Sequence, residues 1–201
     1  MATATNVQAA PGTNSTEIRG LVESVRTALA SHETDIGAVE TLTTGLLATP
    51  TEINRTCDVS TRLIAAGGTL TATVNAHDGK IIKLDTAAGS VVTLPAATGT
   101  GAVFKFLVTV TATSNSHVIK VANATDEFRG YVIQDADEAT APNIWWAADN
   151  DDTITLNRST TGLAAQGEYF EIVDATTGHF FVRGYSQASG TEATPFSATV
   201  S

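Results

Sequence analysis

Three kinds of feature are scarce in this chain, and each scarcity excludes a class of protein. Cys57 is the single cysteine, so a disulfide-stapled scaffold is excluded. Lysine and arginine number 11 against 21 aspartates and glutamates, which gives a net charge of −10 and no basic surface for binding nucleic acid. No apolar run reaches the roughly 20 residues that a membrane-spanning helix needs. We therefore expect a protein that binds neither nucleic acid nor membranes.

What the chain does contain is enough apolar material for one packed core. Hydrophobic residues make up 42%, and threonine and alanine together fill nearly a third of the sequence. Residues 1–16 are the exception, because they offer almost nothing to bury and lack the basic and apolar segments of a signal peptide. We expect synthesis in the cytoplasm, and a flexible tail over residues 1–16 that becomes ordered against a partner.

An apolar repeat follows the tail, with intervals of four and three residues in turn. The average of 3.5 residues is typical of a coiled coil. Asn14 and Glu17 are spaced as a capping box, which predicts the start of a helix. Thr43 fills one position of the seam. The other seam residues are Ile18, Val22, Val25, Leu29, His32, Ile36, Val39 and Leu46.

Two properties of this helix indicate that it pairs with copies of itself. Gly20, Gly37 and Gly45 fall outside the seam, and each costs a helix about 1 kcal/mol relative to alanine, so the helix needs partners. With Ile18 placed at heptad position d, the d positions include the β-branched residues Ile18, Val25 and Val39, whereas parallel dimers favour leucine there. The sequence therefore predicts a homotrimeric, parallel coiled-coil stalk over residues 17–47.

His32 would bring three imidazoles together on the axis of such a trimer. Clustered imidazoles could hold an ion or sense pH. The alternative is a polar layer that fixes register and oligomer number, and we favour it because zinc usually requires a fourth ligand.

The segment Thr49-Pro50-Thr51-Glu52 predicts the start of a second helix. Thr49 would be the N-cap and Pro50 the first helical residue, and Glu52 would complete a capping box with Thr49. We expect a short helix and connector over residues 48–68.

From residue 69 onward, short runs rich in Val, Ile, Thr and Phe alternate with turn signals. About ten such runs, with no helical period between them, predict an all-β head over residues 69–201, an antiparallel sandwich or barrel. Phe104, Phe106 and Val108 share one face of a strand, as do Phe170 and Ile172, and we assign both sets to the core. His77-Asp78-Gly79 reads as a hairpin turn with positive φ at Gly79.

Three segments resemble parts of tailed-bacteriophage structural proteins. LLATPTEINRTCDVSTR (46–62) is similar to a helix-and-connector segment of such proteins. VVTLPAATGTG (91–101), followed by AVFKF, resembles a strand-turn-strand signature of head-fibre and capsid-decoration proteins, and GEYFEIVDATTGHFFVRGY resembles their last hairpin. The resemblance implies a trimeric virion protein on the capsid surface, with the major capsid protein as its partner, and it carries over no catalytic residues.

Other candidate sites have a structural explanation that we prefer. The segment 126–152 holds eight acidic residues against Arg129 alone, but it does not match a calcium-binding loop, so we interpret it as solvated loops. Trp145 and Trp146 should point to opposite faces of a strand, one into the core and the other toward a neighbouring subunit or a glycan. Nucleophile-elbow, phosphate-loop and metalloprotease motifs are missing, and Thr98–Gly101 is a turn between strands instead of a phosphate cradle. We expect no catalytic residue, cofactor or metal.

The sequence thus favours a non-enzymatic virion protein, a homotrimeric head fibre or decoration protein attached to the capsid surface through its N-terminus. The alternative is a tail-fibre or baseplate module whose head recognises host-surface glycans. A polysaccharide hydrolase or lyase would need paired carboxylates of different pKa, of which the sequence gives no sign.

Overall fold

One long helix, one short helix and twelve strands make up the described part of the chain. The computed structural model describes residues 15–45, 49, 52–53, 61–135, 141–163 and 165–200. The helices are α1 (Ser15–Gly45) and α2 (Val74–His77). The strands are β1 (Leu63–Ala65), β2 (Thr69–Thr71), β3 (Ile81–Leu84), β4 (Val91–Thr93), β5 (Val103–Val108), β6 (His117–Lys120), β7 (Glu127–Asp135), β8 (Asn143–Trp146), β9 (Thr153–Leu156), β10 (Tyr169–Thr176), β11 (His179–Gln187) and β12 (Phe196–Ser197).

Helix α1 belongs to the first of two compact units, which meet in the sequence between residues 54 and 55. Its 31 residues cover most of the segment assigned to the stalk, whereas Asn14 and Leu46 lie outside the described residues. Local bonds support it, including a 2.9 Å ion pair between Arg26 and Glu23. No helix among the described residues is long and apolar enough to cross a bilayer.

The second helix start has the geometry that its sequence predicts. The backbone N–H of Thr49 donates to the Glu52 carboxylate at 2.6 Å, and the N–H of Glu52 donates back to the Thr49 hydroxyl at 3.3 Å. The N–H of Ile53 closes the turn on the Thr49 carbonyl at 3.0 Å. The capping box is therefore confirmed, while Cys57 lies outside the described residues.

The strands of the second unit form two sheets. The large sheet has seven strands in the order β1-β3-β5-β10-β11-β7-β8, and the small sheet has five in the order β12-β9-β6-β4-β2. Strand β1 lies within the segment that the sequence assigns to the connector. The prediction of a β-rich head is confirmed.

The antiparallel arrangement that we expected is wrong, because both sheets are mixed. Of the neighbouring pairs among the described strands, five are parallel and five are antiparallel. From β1 to β6 the chain places each successive strand in the other sheet. After each strand the chain crosses to the opposite sheet, and it returns to the first sheet in its original direction. Neighbouring strands within each sheet therefore run parallel.

The same alternation corrects the predicted hairpin at His77-Asp78-Gly79. Gly79 has the expected positive φ of 71°, but β2 and β3 on either side lie in different sheets. Residues Val74–His77 form the single turn α2, capped by the Thr73 hydroxyl. The closing hairpin of β10 and β11, in contrast, forms as predicted, with Ile172 opposite Val182.

The core lies between the inner faces of the two sheets, in a sandwich-like arrangement. Phe104, Phe106 and Phe170 of the large sheet are fully buried, as predicted, in one apolar cluster with residues of the small sheet such as Ile119 and Ile154. Phe180 stands at the centre of the aromatic packing. Its ring centroid lies 6.5 Å from that of Phe104 and 6.3 Å from that of Phe128.

Candidate functional site

The predicted seam lies along α1 as a row of exposed apolar side chains. Each seam residue whose exposure is described is open to solvent, with Leu29 exposed by 59%. The adjacent Leu21, exposed by 60%, widens the stripe. The stripe is therefore exposed along the part of α1 whose side chains are described. The exposed seam residues are Ile18, Val22, Val25, Leu29, His32, Ile36 and Val39.

His32 faces a shallow surface groove instead of a closed site. The groove, of about 250 Å³, is lined by His32, Asp35, Ile36 and Val39. In one chain it brings a single imidazole beside a single carboxylate, which does not complete the coordination sphere of a metal. Whether three His32 side chains hold an ion or only fix the register of the helices is a property of the assembled trimer and stays a prediction.

The second exposed apolar surface is the outer face of the large sheet, the face turned away from the small sheet. Strand order brings three tyrosines together there, on β7, β10 and β11. Tyr169 lies opposite Tyr185, and Ile133 lies beside Tyr185 on the next strand. A shallow cavity of about 280 Å³ opens between these side chains, and the Arg183–Glu171 ion pair forms part of its lining. The lining residues are Tyr131, Ile133, Tyr169, Glu171, Arg183, Gly184 and Tyr185.

Burial and nearby carboxylates act on the tyrosines of this face. Burial first, and then the charge of Glu171, raises the pKa of Tyr169; burial and Asp135 raise the pKa of Tyr185. Both hydroxyls therefore stay protonated at neutral pH. Gly184 lies opposite Phe170 on the core side of the sheet, and a Cβ there would clash with the buried Phe170 ring, so the glycine makes room for the core beneath the cavity.

The two tryptophans divide between the faces of β8 as predicted. Trp145 is half-buried against the core and donates its indole N–H to the Gln134 side chain at 2.7 Å. Trp146 is 68% exposed and packs against Tyr131, with ring centroids 5.1 Å apart. The exposed indole thus extends the outer face to the edge of the large sheet, where Ile144 continues it.

The glycine-rich turn after β4 binds a carboxylate of its own chain. Asp174, fully buried, accepts the backbone N–H groups of Thr98 (3.1 Å), Gly99 (2.8 Å) and Thr100 (3.0 Å), and also the Thr100 hydroxyl (2.6 Å). Burial alone would raise the pKa of Asp174, but these hydrogen bonds outweigh it and lower the pKa below 3.8. The turn therefore anchors the head internally and leaves no anion site for a ligand.

The acidic segment differs from the solvated loops that we expected. Asp126 and Asp152 are buried and accept backbone N–H groups: Asp126 that of Ala97, and Asp152 those of Thr199 and Val200. Asp149 is 88% exposed and pairs with Arg129 at 2.6 Å. Asp137 and Glu138 lie outside the described residues. Among the side chains described, no three His, Cys, Asp or Glu residues lie close enough together to hold a metal ion.

His117 is a buried histidine with a structural role. The Ser90 backbone N–H donates to its Nδ1 at 2.8 Å, and its Nε2 lies 2.9 Å from the Val110 carbonyl. This pair of contacts fits a neutral ring that carries its proton on Nε2. Burial lowers the pKa of His117 below 6.5 despite that carbonyl.

The seam and the outer face are thus two exposed apolar surfaces among the described residues. The sequence indicated the seam and Trp146, but it did not indicate the tyrosine cluster, whose members lie on three strands distant in sequence. Comparison of the chain with protein-family models, with curated proteins and with solved structures finds no match.

Proposed function

We propose that this chain is a non-enzymatic structural protein of a bacteriophage virion, a homotrimer attached to the capsid surface through its N-terminus. Three α1 helices would pair in parallel along the seam, and the β-rich unit would form the head. The observation that carries the proposal is the exposed apolar row of α1, repeated at 3.5-residue spacing along a helix of 31 residues.

Energetics support pairing of the helices. Burying a leucine or valine side chain contributes about 1.5–3 kcal/mol, whereas an isolated helix is marginally stable in water. Three helices that share one seam bury these residues from every chain, and their β-branched d positions fit a trimer better than a dimer.

Attachment to a virion rests on the resemblance of residues 46–62 and 91–101 to phage structural proteins, and on the tail over residues 1–16. Three tails joined by one stalk would bind a shell multivalently, which raises avidity by roughly 10²–10⁴ when all three engage. Such an arrangement fits a three-fold position on the shell.

Sedimentation equilibrium of the full chain tests the stalk. We expect a trimer for the native sequence and a monomer for the double variant Val25→Asp, Leu29→Asp, because carboxylates in the seam would be buried in the assembly. Thr27→Asp is the matched control, since Thr27 is exposed in the single chain like the seam residues but lies outside the seam, and this variant should stay trimeric. A native chain that remains monomeric or dimeric at high concentration would refute the trimer.

Deletion of residues 2–14 tests the attachment. The shortened protein should still sediment as a trimer but no longer co-sediment with capsids that lack the protein. Binding retained without these residues would contradict the role assigned to the tail.

The alternative, a tail-fibre or baseplate module that binds host-surface glycans, is favoured by one feature, the exposed Trp146 stacked against Tyr131. A glycan array probed with the full chain tests it. Selective binding that Trp146→Ala abolishes would favour this function over capsid decoration.

A further inference from the structure

We infer that the outer face of the large sheet is an interface between heads, on which the head of a second copy of this chain packs. The inference rests on the proposed homotrimer and extends it: the stalk would be one of two interfaces, and the heads would contact each other directly.

The apolar part of this face includes three exposed aromatic side chains. Trp146, Phe181 and Tyr185 are exposed by 68%, 46% and 42%. From the 150–250 Å² that a buried aromatic side chain removes from water, these three alone leave on the order of 300 Å² of aromatic surface exposed, which is the size of the largest apolar patch on a typical monomer, a patch that is often functional. Ile133 and Ile144, opposite each other on β7 and β8, enlarge it.

The register of the strands extends the same face across the whole sheet. One row runs through side chains that pair strand by strand from β8 to β1. It begins with Trp146 and Tyr131, crosses the Arg183–Glu171 ion pair, and ends with Lys105, Ile81 and Leu63. Leu63, at the opposite edge, is exposed by 58%. Such an extent exceeds what a short sugar chain covers, and it favours a protein surface as the occupant.

The two halves of this face differ in charge. The half formed by β1, β3 and β5 carries Lys83 and Lys105, with Lys80 and Arg62 beside it, against Asp85, which pairs with Lys83 at 3.7 Å. The half formed by β7 and β8 is bordered by Glu127, Asp135, Asp149 and Asp151, against Arg129. The acidic border of one head therefore complements the basic border of the next.

Three-fold symmetry requires this kind of asymmetry. In a trimer each contact joins two different patches, whereas a patch that pairs with itself produces a dimer. A face with one aromatic, acid-bordered half and one aliphatic, basic half supplies both patches. Heads joined to one stalk are also held at high local concentration, so a modest contact suffices to close the ring.

Fluorescence of the full chain tests the inference, because Trp145 and Trp146 are its two tryptophans. The variant Trp145→Phe leaves Trp146 as the single reporter. In the trimer we expect acrylamide to quench Trp146 several-fold less than N-acetyltryptophanamide. In the stalk variant Val25→Asp, Leu29→Asp, diluted to a monomer, quenching should rise to the value for an exposed indole. The complementary variant Trp146→Phe reports half-buried Trp145, whose quenching should not change on assembly.

Sedimentation of the same samples separates the two proposals. A trimer in which acrylamide reaches Trp146 freely overturns the interface between heads and leaves the stalk in place. A native chain that is monomeric overturns both. Protection of Trp146 in the monomeric stalk variant also overturns the inference, because the same chain would then cover the indole. Protection that appears only when chitohexaose is added overturns it as well, because a glycan would then be the covering group.

A charge reversal provides the second measurement. Lys105→Glu should increase the quenching of Trp146 in the trimer several-fold, because it places a carboxylate against the acidic border of the neighbour. Lys120→Glu, on strand β6 of the small sheet, is the matched control and should leave the quenching unchanged. Equal effects of the two variants would contradict the inference.

Discussion

Replacing Asp174 with asparagine should destabilise the head more than any exposed acidic substitution, because its carboxylate holds the turn between β4 and β5. Asparagine retains one oxygen, which can still accept the N–H groups of Thr98 and Gly99. Its amide nitrogen would then face the two donors of Thr100, so two hydrogen bonds to a charged acceptor are lost. At roughly 1.5–3 kcal/mol for each such bond, we expect a loss of about 3–6 kcal/mol.

Urea denaturation followed by tryptophan fluorescence measures this loss. Both tryptophans lie on β8, so the signal reports the head alone. Asp149→Asn is the matched control, since its 88% exposed carboxylate makes a surface ion pair worth at most about 1 kcal/mol. All variants should be compared at one protein concentration, so that assembly contributes equally.

The effect of Asp174→Asn should also depend on pH with a definite sign. The folded state lowers the pKa of Asp174 below its ordinary value of 3.8, so the carboxylate contributes its full stability above that pH and loses it as the pH falls further. The stability difference between the native chain and the variant should therefore be constant near neutrality and shrink below pH 3.8. A loss under about 1 kcal/mol, or a difference that does not change in acid, would refute this account of the turn.

Two other predictions concern the core. Acidification below pH 6.5 should lower the urea midpoint of the native head more than that of the variant His117→Gln. The reason is that the buried, neutral His117 ring resists the proton that the unfolded chain accepts. Parallel pH profiles for the two proteins would contradict this. Phe180→Ala should lower the free energy of unfolding by about 3–5 kcal/mol in the same assay, since the Phe180 ring packs against both Phe104 and Phe128. Phe181→Ala, on the exposed side of β11, should cost much less when it is measured in the monomeric stalk variant.

Alternation of apolar residues located most strands, but it did not determine their partners. Phe104, Phe106 and Phe170 were assigned to the core correctly, because a period of two fixes which side chains share a face. The pattern contains nothing about which sheet a strand joins. Strand order was therefore left open and an antiparallel arrangement was expected, whereas β1 to β6 alternate between the sheets and their neighbours run parallel.

The lack of information about strand partners also explains which surfaces the sequence indicated and which it did not. The α1 seam is local, so its spacing is visible in the sequence, and so is the opposition of Trp145 and Trp146. The cluster of Tyr131, Tyr169 and Tyr185 depends on β11 lying between β7 and β10, which no local pattern encodes. The buried roles of Asp126 and Asp152 were also missed, because the sequence does not distinguish an aspartate that accepts backbone N–H groups from one that is solvated.

The alternation of strands between the sheets has a consequence for how the head is made. Strand β5 pairs with β10 across more than sixty intervening residues, and β3 and β1 attach only through β5. During synthesis the early strands therefore emerge long before the segment that completes their sheet. Non-local pairing of this kind slows folding, because loop-closure entropy is lost before the contacts form. The head should condense late and as a unit, after β10 and β11 have left the ribosome, whereas α1 is available for assembly much earlier.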